Sequence, residues 1–314
     1  MDAFKSDATS AQTRGDLALD EDWYHTIELK PDVFTPGKSY SNVALTRRIL
    51  KACPIEGTVC LDIGAMDGMI SAILHRRGAR RVIACDRYDR RRHIGIVSRC
   101  LGAHIDYVGR VTLADMRRLG PQFVGDPFDV VVFSGVLYHM YDPMNGLALV
   151  RSMVRPGGIV VVESQAILTD KMVNYFNAAG SVDADPHNYW NISVALLDYL
   201  LRYFRLKPLD CRYFTWGSSA EDGCPIARVC VACEAVPSAL PDAGDQYMTV
   251  SLRDDDAEYP EWATEKREPL CYAGSGSPLV KRPSGAVDLY KTIISTPPLA
   301  WGEEDVRLAL TAHG

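Results

Sequence analysis

Short apolar runs alternate with stretches of helical pattern in the central part of the chain. The runs DVVVF and IVVVE consist almost entirely of Val, Ile and Phe, which is typical of strands buried on both faces. Such alternation predicts a parallel sheet with helices on both of its faces. The predicted strands are residues 59–63, 81–85, 104–108, 130–134 and 159–163, and the predicted helices are 68–77, 91–101 and 144–154.

Further elements are predicted on either side of this α/β core. A helix at 41–52 precedes it, and an irregular polar segment at 164–191 follows it. We interpret residues 1–52 as an N-terminal cap or lid, 53–235 as the α/β domain and 236–314 as a C-terminal extension. After residue 191 we predict a helix at 193–203 and strands at 206–214 and 226–234.

Composition narrows the classes of protein that fit. The chain has 314 residues, a net charge of −6 and nine cysteines, which are spread thinly between Cys53 and Cys271. The acidic balance argues against a surface built to bind phosphate backbones, and the sparse cysteines indicate free thiols. Residues 1–20 lack the apolar segment of a signal peptide, and no apolar run is long enough to span a bilayer. We therefore expect a soluble cytoplasmic protein without a membrane or nucleic-acid partner, and leave a homo-oligomer open.

The segment LDIGAMDG carries the sharpest signal. A predicted buried strand ends at Ile63, and a tight turn runs from Gly64 to Gly68 into a helix. Glycine at Gly64 allows a ligand to approach the backbone closely. The next strand ends at Asp86, where a carboxylate can accept the hydroxyls of a ribose. Several nucleotide cofactors share this ribose arrangement, so it does not choose among them.

The pattern D-x-G-x-x-x-G from Asp62 to Gly68 resembles the first motif of class I methyltransferases. PFDVVVFSGVLYH and RPGGIVVVES are similar to the fourth and fifth strands of that family. The resemblance implies a Rossmann-like α/β sandwich that binds S-adenosyl-L-methionine, with Asp62 near its methionine end. Met66 departs from the family, in which glycine is usual there. The implied cofactor residues are Asp62, Gly64, Ala65, Met66, Gly68, Asp86, Arg87, Ser134 and Gly135.

A narrower resemblance covers residues 23–235. Residues 23–37, GVLYH and residues 189–203 resemble the transferases that modify the wobble uridine of tRNA with carboxy-S-adenosylmethionine, and their small-molecule relatives. Those tRNA enzymes continue with arginine after GVLYH, whereas this chain has Met140 and Tyr141. Eight arginines between Arg76 and Arg92 form one basic cluster, which we interpret as solvated helix ends and loops rather than an RNA surface.

Methyl transfer is an in-line displacement that requires a base only if the acceptor atom loses a proton. His139 follows the fourth strand and is the candidate for a base or an acceptor-orienting group; the alternative is a histidine that binds the loop backbone. Tyr138 is a candidate to flank the methyl group. Tyr24 and His25 are candidates for a lid, the alternative being a capping helix whose Trp23 and Ile27 face the core.

Candidate substrate groups lie on later loops and strands. Glu163 ends the fifth strand and is suited to an amino group, and Arg228 to a substrate carboxylate or a structural acid. Asn188, Tyr189 and Trp190 lie in a loop rich in polar and aromatic groups. We expect no metal, because positions three apart on a strand, as in the CxxC at Cys230, face opposite sides.

The sequence thus favours an S-adenosylmethionine-dependent methyltransferase that acts on an amino acid or specialised metabolite. The sequence leaves the acceptor atom open among oxygen, nitrogen, sulfur and carbon. Two alternatives remain: a tRNA wobble-uridine enzyme, and a cofactor-binding protein without catalysis.

Overall fold

A computed structural model describes residues 11–19, 21–37, 41–113, 115, 127–182, 185, 187–218, 223–236 and 285–299. Spatial contacts divide the described chain into two units, one ending at Thr112 and the other running from Leu113 to Leu299. Both units contain parallel strands and helices, which confirms the predicted α/β class.

The first unit is built around three parallel strands. Strand β4 lies between β3 and β5, and Leu61 of β3 aligns with Ile83 of β4. A two-stranded antiparallel ribbon, β1–β2, precedes them. The elements in chain order are α1 (Ala11–Asp16), β1 (Glu28–Lys30), β2 (Val33–Phe34), α2 (Ser41–Leu50), β3 (Val59–Ile63), α3 (Met69–Arg76), β4 (Arg81–Asp86), α4 (Arg91–Leu101) and β5 (Asp106–Gly109).

The burial pattern explains why these segments fold as they do. Strand β4 is exposed at Arg81 and buried from there to Asp86, and α3 buries its first six residues, as expected for elements at the centre of a layered fold. Helix α4 ends at Gly102, which takes the left-handed conformation that glycine adopts without steric cost. The strands predicted at 59–63, 81–85 and 104–108 are therefore present, within two residues at each end.

The second unit combines parallel and antiparallel strand pairs. Strand β7 pairs with β6 and β9 in parallel and with β11 antiparallel, and β11 forms an antiparallel hairpin with β10, which precedes it in the chain. Its elements are β6 (Phe128–Ser134), α5 (Pro143–Met153), β7 (Val154–Ile167), β8 (Asn174–Phe176), β9 (Trp190–Ser193), α6 (Val194–Tyr203), β10 (Leu206–Ser218), β11 (Pro225–Ala235) and α7 (Leu289–Ser295).

Side-chain caps begin helices α5, α6 and α7 of this unit. Asp142 accepts the N–H of Asn145 at α5, Ser193 accepts that of Leu196 at α6, and Asp288 accepts that of Lys291 at α7. Each cap satisfies a backbone donor that has no partner inside its helix.

The prediction that residues 164–191 are irregular is wrong in part. Strand β7 continues to Ile167 because β11 pairs with it along its whole second half, and β8 pairs with β9 within the remainder. The boundaries predicted at 52/53 and 235/236 stay predictions, and most of the predicted extension lies outside the described residues. Its described part, 285–299, packs on β10, where the Tyr213 hydroxyl donates to the carbonyl oxygens of Ile293 and Thr296. Within the described chain, no helix combines the length and the apolar character needed to cross a membrane.

Gly68 tests the turn between β3 and α3. Its φ is +84°, and an added Cβ would lie 3.1 Å from Cγ1 of Ile94 on α4. We expect Gly68→Ala to lower the free energy of unfolding by more than about 1–2 kcal/mol, because left-handed strain and crowding add. Gly102→Ala is the matched control, since Gly102 has φ +63° and open space around the added atom. Urea titration of the two variants measures the difference, and equal losses would contradict the packing role.

Candidate functional site

The loop that follows β3 is held in shape by the backbone of β4. The N–H groups of Gly64 and Ala65 both donate to the carbonyl oxygen of Cys85. Met66, where the resembling family has glycine, takes a left-handed φ of +46°. This conformation costs a side-chain-bearing residue about 1–2 kcal/mol, so the surrounding contacts must hold it. Ala65 is buried beneath the loop.

Asp86, at the end of β4, stabilises this conformation of Met66. Its Oδ2 accepts the N–H of Met66 at 2.9 Å, and its Oδ1 accepts the N–H of Tyr88 at 2.8 Å. The carboxylate is 4 % exposed, yet each oxygen keeps a second lone pair for a hydroxyl donor. The adjacent Arg87 is exposed, with its guanidinium 4.8 Å from the centre of the Tyr88 ring.

Asp62, inside β3, is a buried carboxylate beside a like charge. Burial raises its pKa to about 7; a hydrogen bond from Ser71, 2.6 Å from Oδ2, opposes this shift, and the charge of Asp86 adds to it. A cationic group placed at Asp62 would remove the electrostatic penalty. The ammonium group of a methionine moiety and the hydroxyls of a ribose therefore match Asp62 and Asp86, respectively.

Asp67 attaches the N-terminal segment to the same loop. Its Oδ2 accepts the backbone N–H groups of both Tyr24 and His25, each at 2.7 Å. Burial raises the pKa of Asp67, and the two N–H donors and Arg90 oppose that shift. Asp67 is not among the predicted site residues, although it lies between two of them. Its partners are backbone groups more than forty positions away, which the local sequence does not reveal.

The lid candidates differ in environment. Burial and, to a smaller extent, the charge of Arg90 lower the pKa of His25 to about 3, so its imidazole is neutral. Tyr24 is 40 % exposed. Trp23 and Ile27 are buried, as expected for the alternative in which they face the core. Residues 21–27 do not form the capping helix of that alternative.

A buried ion pair lies between β7 and β11 in the second unit. Arg228 donates to both carboxylate oxygens of Glu163, from Nε at 2.5 Å and from Nη2 at 2.6 Å. Burial alone would lower the pKa of Arg228, but Glu163 and Tyr138 outweigh it and raise the pKa. The structure therefore gives Arg228 the structural acid that the sequence left as an alternative, and Ser134 Oγ also donates to Glu163 at 3.2 Å.

The same arginine fixes Tyr138. Arg228 Nη1 donates to the Tyr138 hydroxyl at 2.7 Å, and its Cζ lies 4.7 Å from the ring centre. Tyr138 belongs to a short 3₁₀ helix, Leu137–His139, that follows Gly135 with its φ of +73°. The phenolic oxygen of Tyr138 is therefore the acceptor of a hydrogen bond from a charged donor.

His139 is a neutral imidazole whose orientation is set by the backbone. Its Nδ1 lies 2.8 Å from the carbonyl oxygen of His187, so Nδ1 carries the proton and Nε2 the lone pair. Burial lowers the pKa of His139, and the His187 hydrogen bond only partly offsets this. This contact agrees with the alternative that His139 binds the backbone of a loop. It also leaves Nε2 able to act as a base.

The loop residues predicted to bind substrate join this segment. Tyr189 N–H donates to the Tyr138 carbonyl oxygen at 2.9 Å, and Trp190 Nε1 donates to that of Tyr141 at 3.0 Å. Asn188 is buried, whereas Tyr189 and Trp190 are partly exposed. Tyr141, which the prediction omitted, stacks on Tyr189.

Each unit thus gathers its own set of predicted residues. In the first unit, the cofactor residues from Asp62 to Arg87 and the lid candidates lie around the loop 64–68, whereas the predicted cofactor residues Ser134 and Gly135 lie in the second unit. In the second unit, Tyr138, Glu163 and Arg228 form one network beside His139. Within the described residues no group of three or more His, Cys, Asp or Glu is arranged to hold a metal, and Cys230 and Cys233 are buried free thiols.

Comparison with known proteins gives a family match. A family described as a methyltransferase domain matches residues 38–200, slightly more than half of the 314 residues.

Relatives with curated descriptions match a shorter region. The ubiquinone biosynthesis O-methyltransferase of Rhizobium etli is 34 % identical over 112 residues, which is 35 % of this chain and 42 % of the relative. That of Cereibacter sphaeroides is 34 % identical over 109 residues, which is 34 % of this chain and 41 % of the relative. The chain therefore spans less than half the length of these two relatives.

Among solved structures, the N-terminal domain of EvdMO1 with SAH bound is similar at a TM-score of 0.51 and 14 % identity. The match covers 74 % of this chain and 99 % of that one. At this identity the likeness concerns the fold, and it confirms the predicted Rossmann-like α/β fold.

The raised pKa of Asp62 predicts a pH-dependent stability. Because its pKa moves from 3.8 to about 7 on folding, the folded protein holds a proton between these values that the unfolded chain has lost. The contribution of Asp62 to the free energy of unfolding therefore falls as the pH rises from 3.8 to 7 and stays low above it. We expect Asp62→Asn to gain stability relative to the wild-type chain as the pH rises.

Urea titrations of the ligand-free protein from about pH 5 to about pH 8 measure this gain. Asp106→Asn is the control, since Asp106 is 58 % exposed and pairs with Arg81 at the surface. A stability difference for Asp62→Asn that does not change with pH would contradict the assignment.

Proposed function

Because the chain belongs to the methyltransferase domain family, we propose that it transfers the methyl group of S-adenosyl-L-methionine to a small-molecule acceptor that loses a proton. The observation that carries this proposal is the loop 64–68 between two buried carboxylates, Asp62 and Asp86. Asp62 suits a cationic group, and Asp86 suits hydroxyl donors.

The cofactor end of the reaction rests on these carboxylates. Asp86 is held by two backbone N–H groups in a fixed orientation, in which it accepts the ribose hydroxyls. Asp62 binds the ammonium of the methionine moiety, which stabilises its charged form. The glycines at Gly64 and Gly68 let the cofactor lie against the backbone. When bound, the cofactor supplies an electrophilic methyl group on a sulfonium that is already a good leaving group.

The acceptor end rests on His139. A neutral imidazole whose Nδ1 is bound to a carbonyl oxygen presents Nε2 as a proton acceptor. His139 therefore removes the proton from the acceptor atom as that atom attacks. Tyr138, whose hydroxyl is held by Arg228, flanks the acceptor.

The pair Glu163–Arg228 acts in this proposal through Tyr138. The two opposite charges compensate each other, so the pair as a whole offers no net charge to a substrate. We assign both a positioning role, while Asn188, Tyr189 and Trp190 line the acceptor side. Tyr24 and His25 form a lid over the cofactor loop through Asp67.

The name of the ubiquinone biosynthesis relatives describes oxygen as the methyl acceptor, which supports an acceptor with an ionisable hydroxyl. The expectations of a cytoplasmic location and of no nucleic-acid partner stay predictions, as does the open question of a homo-oligomer.

Asp86→Ala tests the cofactor assignment. We expect it to weaken S-adenosylmethionine binding by about 10- to 100-fold, because hydrogen bonds to a charged acceptor contribute about 1.5–3 kcal/mol. Titration calorimetry measures the dissociation constant. Asp89→Ala is the control, since Asp89 lies three positions further on an exposed loop and pairs with Arg110. Equal affinities of the Asp86→Ala variant and the wild-type chain for S-adenosylmethionine would contradict the assignment of the ribose site to Asp86.

His139→Gln tests the base. With methyl-labelled S-adenosylmethionine and a panel of phenols, amines and thiols, we expect kcat to fall by about 10²–10⁴-fold on the best acceptor. Because burial lowers the pKa of His139 below 6.5, the wild-type rate stays constant near neutral pH and declines only below about pH 6.5. The variant loses this decline. His104→Gln, at an exposed site outside the second unit, is the control. An unchanged decline in His139→Gln would exclude it as the base.

A further inference from the structure

Four aromatic side chains form one surface of the second unit, which we call the aromatic platform: Tyr141, Phe176, Tyr189 and Trp190. Tyr141 and Tyr189 stack with ring centres 4.6 Å apart and planes 29° apart. Phe176 contacts Trp190 edge to face at 5.2 Å, across the antiparallel pair β8–β9. The four rings thus come from three separate segments that the fold brings together.

Hydrogen bonds fix the platform in place. Trp190 Nε1 donates to the Tyr141 carbonyl oxygen at 3.0 Å, which anchors the backbone beneath the outermost ring. The hydroxyls of Tyr189 and Tyr141 lie 3.3 Å apart, which aligns the edges of the stacked pair. A ring held in this way has little orientational freedom left to lose when a ligand binds.

The platform is exposed although it is large and apolar. Tyr141 is 80 % exposed and Phe176 is 56 % exposed. Tyr189 covers one face of the Tyr141 ring, so the exposed area is concentrated on the other face and the edge. A rigid, contiguous aromatic surface in contact with water marks a binding site more often than an isolated exposed ring does.

The platform is continuous with the segment that carries the proposed base. Tyr141 follows His139 by two residues, and the N–H of Tyr189 donates to the carbonyl oxygen of Tyr138. The rings of Tyr138 and His139 themselves lie 4.2 Å apart. A ligand on the platform therefore binds beside the base rather than at a remote surface.

We propose that the platform binds the methyl acceptor and that this acceptor is a planar aromatic molecule with a ring hydroxyl. The inference rests on the proposed function and specifies its substrate class. The open face of Tyr141 stacks on the acceptor ring, and the hydroxyl reaches His139. The O–H bond breaks with its proton passing to Nε2, a lone pair of the oxygen forms the new O–CH₃ bond, and the electron pair of the S–CH₃ bond stays on sulfur. The products are an aryl methyl ether and S-adenosylhomocysteine, and the imidazolium releases its proton to water.

The ring arrangement favours a flat partner over a cation. Recognition of a quaternary ammonium uses aromatic faces on several sides of the charge. Here the two tyrosines stack on each other, so together they offer one flat face instead of enclosing walls. Offset stacking against such a face is the preferred geometry of aromatic pairs.

Ligand-observed NMR on the full ligand-free chain tests the platform without requiring turnover. The probes are 1-naphthol, the matched alicyclic alcohol decahydro-1-naphthol, and tetramethylammonium. We expect 1-naphthol to bind more tightly than the other two. Tyr141→Ala should weaken it by about three- to tenfold, whereas Tyr141→Phe keeps the ring and most of the affinity. Tyr88→Ala is the control, because Tyr88 is 50 % exposed but belongs to the first unit.

Equal binding of the aromatic and alicyclic probes, or tighter binding of tetramethylammonium, would overturn the proposal. So would a dimer that Tyr141→Ala converts to a monomer in sedimentation, since a second copy would then occupy the surface. Calorimetry with S-adenosylmethionine separates the two levels of inference. Cofactor binding without preference for 1-naphthol refutes the substrate class alone. Binding of 1-naphthol that depends on Tyr141, without cofactor binding, refutes the proposed function and with it the role of the ligand as methyl acceptor.

Discussion

The first unit depends on carboxylates buried where two parallel strands end. Burial of a charge costs free energy unless hydrogen bonds or an opposite charge compensate it. Asp86 receives this compensation from backbone N–H groups, one of which belongs to the left-handed Met66. The strained loop and the buried carboxylate therefore stabilise each other. Asp62 is hydrogen-bonded by Ser71 and lies beside the like charge of Asp86, and burial raises its pKa.

The N-terminal segment is coupled to this loop by one side chain. Asp67 lies within the loop and accepts two consecutive backbone N–H groups from Tyr24 and His25. Any ligand that displaces the loop must therefore also move the segment, and any change in the segment acts on the loop. The neutral, buried His25 adds no charge of its own, so Arg90 provides the balancing cation at 3.9 Å from Asp67.

Local patterns predicted the regular elements well. The runs 59–63 and 81–85 are apolar enough to be buried on both faces whatever surrounds them, and β3 and β4 occupy these positions. The extension of β7 to Ile167 was not predictable, since it depends on pairing with β11, about sixty residues away. The same reason hid Asp67 and Tyr141. Their partners are distant backbone groups and a ring on another loop, and neither leaves a periodic signal in the sequence.

Glu163 and Arg228 show how pairing changes the chemistry that a residue type suggests. Taken singly, an acid and an arginine near a strand end indicate substrates of opposite charge. Joined through two hydrogen bonds, they form a neutral buried unit whose remaining donor, Nη1, is directed at Tyr138. Charge selection by this pair is therefore lost, and what it provides is a fixed phenol. Under the proposed function, recognition of the acceptor therefore falls to the partly buried imidazole of His139 and to the rings beside it, which select for shape and for a removable proton rather than for charge.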